Sequence, residues 1–246
     1  MRRTPYQGVT NIIRFNPNFF IAAIAVSIIT IVAIMLTTGW PAIILSLGLV
    51  SVMTFLVLSL TASHWIYDRS NLYKTPWLDG IRPGSTLLNI NAGFDETTPI
   101  IISKFPDTHI RVIDFYDPEK HTEPSIARAR KAYPPVGHTE SVTNGILPAE
   151  NKSISHITTI LSLHEIRAHE ERVCILNELH RILEDNGRLY ITEHLRDIFN
   201  FSVYSIGVLH FHSKKTWMKS FEESGFQIES IHKTTPFIST FILKKK

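Results

Sequence analysis

Leu176-Asn177-Glu178-Leu179-His180-Arg181-Ile182-Leu183-Glu184-Asp185-Asn186-Gly187-Arg188-Leu189-Tyr190-Ile191-Thr192-Glu193-His194 decides the fold class of this chain. Val173, Leu176, Leu179 and Leu183 recur at helical spacing and predict a helix over Glu170–Glu184. Asn186-Gly187 reads as its glycine turn, and Arg188–Glu193 follows as a short buried strand. A helix running straight into an apolar strand is half of a βαβ unit, so its neighbours are expected to repeat the pattern.

They do. Thr86–Asn91, Ile110–Phe115 and Ile157–Leu163 are short apolar runs suited to buried strands. Helical stretches over Thr97–Lys104 and Ser125–Ala132 separate them, which predicts an α/β fold with a mostly parallel sheet. Beyond the decisive stretch, Lys215–Ser224 reads as a helix ending at Gly225. Gln227–His232 and Phe237–Leu243 follow without a helix between them, which predicts a C-terminal antiparallel hairpin.

Toward the N-terminus the composition changes. No Asp, Glu, Lys or Arg stands between Arg14 and Asp68. That interval holds two apolar stretches, near 19–36 and 41–62, broken by Thr37-Thr38-Gly39-Trp40-Pro41; each approaches the roughly 20 residues a bilayer core requires. A signal peptide would have one shorter apolar region and a cleavage site. The expected layout is therefore a membrane anchor over 1–67, a linker over 68–82 and an α/β domain over 83–246. Arg2, Arg3 and Arg14 precede the first stretch, and Arg69 and Lys74 follow the second. By the positive-inside tendency both termini are expected in the cytoplasm, of a bacterial inner membrane, with lipid as a partner.

The 246 residues carry a formal charge of +3 and no basic stripe, so nucleic acid is not an expected partner. A single cysteine, Cys174, excludes an internal disulfide. Twelve histidines are present, but none lies in a His-x-x-x-His or Cys/His framework, so no metal site is assigned.

From about Ser85 to Lys244 the order of elements resembles the class I S-adenosylmethionine-dependent methyltransferases. Four places carry it: Leu87-Leu88-Asn89-Ile90-Asn91-Ala92-Gly93-Phe94-Asp95, Arg111-Val112-Ile113-Asp114-Phe115, Ile157 to Ile166 with Leu163-His164-Glu165, and the stretch quoted first. The family's Gly-x-Gly-x-Gly turn keeps one glycine here, Gly93; Asn91 and Asp95 replace the other two, and Asn89 replaces an acid. The resemblance implies S-adenosylmethionine as cofactor, held at Asn89, Asn91, Gly93, Asp114, Phe115, Asn144 and Gly145. Asp114 would receive the ribose hydroxyls and Phe115 would cover the adenine. It also implies methyl transfer to a small or lipid-like acceptor, with His164, Glu193 and His194 as candidates to take its proton. His210 and His212, and the apolar segment Asn200–Leu209, are expected near that acceptor. The eroded glycine turn leaves a second expectation, a non-catalytic module tethered to the membrane. A nucleotide-linked oxidoreductase ranks last, because the pyrophosphate fingerprint is missing.

Overall fold

The computed structural model describes residues 3–135, 137–143 and 145–246. The chain divides into two compact units, one extending to Arg69 and one from Ser70 to Lys246.

The first unit is helical: α1 (Gln7–Phe15), α2 (Pro17–Leu36) and α3 (Trp40–His64), followed by a π-helical turn over Trp65–Arg69. α1 was not apparent from the sequence. The helices α2 and α3 pack side by side and are long and apolar enough to cross a membrane. No residue of α2 is buried inside the protein, and α3 buries only Ala62 and Ser63 at its end. The hydroxyls of Ser27, Thr30, Ser46 and Ser51 donate to carbonyls four residues back, at 2.7–2.8 Å. Each of these four hydroxyls is thereby satisfied within its own helix. Asp68 receives the free N–H groups of Gly8 (2.6 Å) and Val9 (3.2 Å) at the start of α1. Gly8 is obligatory there, since a Cβ would stand 2.3 Å from that of Tyr67.

The second unit is α/β, a seven-stranded sheet with its strands in the order β3-β2-β1-β4-β5-β7-β6. The elements are β1 (Thr86–Asn91), α4 (Thr98–Lys104), β2 (His109–Asp114), α5 (Pro124–Ala132), β3 (Thr139–Ser141), β4 (Ile154–Ile160), α6 (His169–Ile182), β5 (Leu183–His194), α7 (Ile198–Tyr204), α8 (Lys214–Glu223), β6 (Phe226–Thr235) and β7 (Ile238–Lys245). Strands β1 to β5 pair in parallel, and β7 runs antiparallel to both β5 and β6. This is the mostly parallel sheet with a C-terminal antiparallel hairpin expected above, with the short strand β3 added. Alternate residues from the strands and the inner face of α6 (Leu176, Leu179, Ile182) share one core with Trp217 and Phe221 of α8.

One boundary is corrected. The helix α6 stops at Ile182, and Leu183 is already extended and paired with Ile154 of β4. Gly187 is therefore not a helix-ending turn; it lies inside β5. A Cβ there would meet Leu183 Cδ1 at 2.7 Å and the carbonyl of Ser155 at 2.8 Å. Glycine is required by crowding, where a left-handed backbone had been expected. Gly225, after α8, does take the left-handed conformation (φ +73°) that ends a helix.

Candidate active site

In an open parallel sheet the carboxyl ends of the strands form the natural crevice. The sequence-expected residues are distributed along this one edge, in two groups.

The first group surrounds the ends of β1, β2 and β3. Gly93, just past β1, has φ +87°, and a Cβ on it would stand 2.8 Å from the ring of Tyr116. Asn91 Oδ1 accepts from the Gly93 N–H (3.2 Å) and holds the turn, while its buried Nδ2 has no partner among the described residues. Asn89 faces elsewhere: its Nδ2 donates to the hydroxyls of Thr97 (3.0 Å) and Thr98 (2.7 Å) at the start of α4. Asp95 Oδ1 receives the N–H groups of Thr97 and Thr98, both at 2.9 Å, and so caps α4.

At the end of β2, Asp114 is buried and both its carboxylate oxygens are engaged. Oδ1 accepts from the Tyr116 N–H (2.9 Å), and Oδ2 pairs closely with Arg130 of α5. The Arg130 guanidinium also lies over the Tyr116 ring, 4.9 Å from its centre. Next to this lock is an open cleft of about 260 Å³, lined by Phe115, Val142, Gly145, Ile166 and Ile175 with Lys120, His121 and Glu171 at its polar side. Phe115 and Gly145 thus share one cleft, whereas Asn144 lies outside the described residues. Neither Tyr116 nor Arg130 had been singled out from the sequence. Arg130 reaches Asp114 from 16 residues away, a distance no local motif encodes.

The second group stands beyond β4 and β5. His164 Nδ1 donates to Glu193 Oε2 at 2.7 Å, and Glu193 Oε1 accepts from the backbone of Ser162 (3.2 Å) and His164 (3.3 Å). His164 Nε2 lies 3.3 Å from Glu165 Oε1, and His210 Nε2 reaches the same oxygen at 3.4 Å. Glu123 Oε1 stands 3.1 Å from His210 Nδ1, which Arg167 also contacts closely. Burial opposes a charge on His164, but Glu193 and Glu165 overcome it and push its pKa up to about 10. Burial likewise works against Glu165, yet the imidazoles of His164 and His210 hold its carboxyl well below the usual range.

His194 differs. It is buried, its Nδ1 bonds Asn200 Oδ1 at 2.8 Å, and its ring stacks on Phe211 at 4.6 Å. Burial pushes its pKa down to about 4, so it is neutral at ordinary pH. His212 is similar: burial, then the neighbouring Arg172, push it down to about 4. Arg172 ties it in place, donating to the Ile166 carbonyl (3.1 Å) and contacting His212 Nε2 (3.1 Å). The structure therefore brings His164 and Glu193 together with Glu165 and His210, and places His194 behind them. Glu123, in the loop before α5, is exposed and lies against this cluster through His210.

No protein-family model matches the chain, and no curated protein matches it. Solved structures do. A SAM-dependent methyltransferase from Aquifex aeolicus superposes with a TM-score of 0.53 at 15% identity, covering 71% of this chain and 89% of its own. A SAM-dependent methyltransferase from Methanosarcina mazei gives 0.52 at 16% identity, covering 69% of this chain and 97% of its own. The unit from Ser70 onward thus has the Rossmann-like fold seen in S-adenosylmethionine-dependent methyltransferases.

Proposed function

We propose that this chain transfers a methyl group from S-adenosylmethionine to a small, lipophilic acceptor at the cytoplasmic face of a membrane. The observation that carries the reading is the cleft at the ends of β2 and β3, in a fold shared with such enzymes. Phe115, Val142, Ile166 and Ile175 give it the apolar walls an adenine ring needs. The left-handed turn at Gly93 and the unpaired Nδ2 of Asn91 suit a backbone approached by a polar ligand. Asp114 is the residue assigned to the ribose hydroxyls, which would take the place now held by Arg130. The side chain of Arg130 is part-exposed.

Bound S-adenosylmethionine supplies an electrophilic methyl carbon on a sulfonium that leaves as a thioether. The chain's own work is alignment. His164, bonded to Glu193, and the carboxylate of Glu165 are assigned to the polar end of the acceptor, which they orient by hydrogen bonds. Neutral, buried His194 fixes the segment carrying His210 through Asn200 and Phe211. Ile198, Phe199, Phe201, Ile206 and Leu209 on that segment are all exposed. An apolar, uncovered face supports an acceptor or a surface of lipid character. The apolar helices α2 and α3 are assigned as the anchor, and Arg3, Arg14, Arg69 and Lys74 support cytoplasmic termini.

A second reading has specific support. Tyr116 against Gly93, Arg130 on Asp114 and Asp95 capping α4 all fill places where a cofactor would sit, as a non-catalytic, membrane-tethered interaction module would allow. Calorimetric titration of S-adenosylmethionine and S-adenosylhomocysteine into the detergent-solubilised chain separates the two. Binding in the micromolar range supports the enzyme. No binding at millimolar cofactor, by protein with an intact circular dichroism spectrum, replaces it with the interaction module.

A further inference from the structure

We propose that His164, Glu165 and His210 form a site for one divalent transition-metal ion. This goes beyond methyl transfer and does not depend on it. One ligand atom from each residue lies within 4.8 Å of the others. Both imidazoles turn Nε2 toward a single oxygen, Glu165 Oε1, at 3.3 and 3.4 Å. Ligands bonded to zinc at about 2.0–2.1 Å in tetrahedral geometry stand about 3.3–3.4 Å apart, so those two edges are already at coordination length.

The outer shell points the same way. Each histidine has a carboxylate on its Nδ1: fully buried Glu193 on His164 at 2.7 Å, and Glu123 on His210 at 3.1 Å. On His164 the carboxylate fixes the tautomer that leaves the other nitrogen's lone pair for a metal, whereas on His210 Glu123 shares Nδ1 with Arg167. Three carboxylates, Glu123, Glu165 and Glu193, face this point against one guanidinium, that of Arg167, which touches His210. A doubly charged cation bound here takes the place of the Nε2 protons of the two imidazoles, which are released, and the three carboxylates then face the metal. Two histidines and one carboxylate leave further positions open to water or an oxygen donor, the ligand set of catalytic zinc and of non-haem iron(II) centres. The sequence offered these residues without a metal-ligand spacing, because His164 and His210 lie on different elements, outside any helical repeat.

The test uses tag-free, chelator-stripped full-length chain in detergent, titrated with Co²⁺ and followed by its visible d–d absorption, then challenged with Zn²⁺. One equivalent of Co²⁺ per chain, displaced by Zn²⁺, is expected. Glu165→Gln and His210→Ala should each weaken binding by about 100-fold or more, and Glu123→Gln by about 10-fold. Glu123 and His210 are part-exposed, so these two variants keep the fold, which circular dichroism verifies. Absence of stoichiometric binding overturns the proposal. So does binding that survives unchanged in Glu165→Gln and His210→Ala.

Discussion

Asp114 is the residue on which the cofactor reading turns. Its carboxylate is buried, and among the described residues Arg130 supplies the one cation that pairs with it. A ligand presenting two hydroxyls must displace that guanidinium, so part of its binding energy goes into breaking an existing pair. Arg130→Gln removes the competitor. Folded stability should fall by about 1–3 kcal/mol, the cost of a buried acceptor left short of a partner. Affinity for S-adenosylhomocysteine should rise several-fold over the unmodified chain, whereas Asp114→Ala should abolish it. Calorimetry reads both. Weaker binding in Arg130→Gln would show that the guanidinium belongs to the binding site. Asp114 itself was legible because a buried strand that ends in an acid is a local pattern. Its partner was not, since Arg130 and Tyr116 arrive through tertiary packing.

At the level of elements, the helix α6 and the strand β5 announce themselves through spacing, and their junction does not. Asn186-Gly187 after a helical repeat is an ordinary stop signal. Here the pairing of Leu183 with Ile154 begins the strand four residues earlier and wins over the local preference. Two accounts of Gly187 then differ in outcome. Were its backbone left-handed, Gly187→Asn would be tolerated better than Gly187→Ala. Crowding by Leu183 and the Ser155 carbonyl predicts that Asn is at least as harmful as Ala, each costing about 1–3 kcal/mol in denaturant titrations. Asn tolerated where Ala is not would restore the helix-cap account. The histidine cluster shows the same limit: every member was visible as a residue, but Glu193 meets His164 across 29 positions and His210 meets Glu165 only through folding.

Across the whole molecule, apolar surface is concentrated in two places, the helices α2 and α3 and the segment 198–209. The apolar character of both was plain in the sequence; the outward orientation of Ile206 (79% exposed) and Leu209 (64%) was not, because composition does not say which side of a helix is covered. If that segment lies in lipid, an environment-sensitive fluorophore on Ile206→Cys, with Cys174→Ser, should shift to the blue in nanodiscs. The shift should vanish when Phe199 and Phe201 are replaced by serine. A water-like spectrum in nanodiscs would place the segment in solvent and turn attention to a protein partner.

The position of β7 has a consequence for how the chain is made. It lies between β5 and β6, yet it follows every other strand of this sheet in the chain. Until it leaves the ribosome, β5 keeps one edge unpaired, and the core lacks Ile238, Phe241 and Leu243, all of them fully buried. By then α2 and α3 have long since emerged. A chain with its helices made and its sheet unfinished would carry an open strand edge, a target for chaperones or proteases. Closure of the sheet would thus serve as a late checkpoint, passed only by chains translated through Leu243.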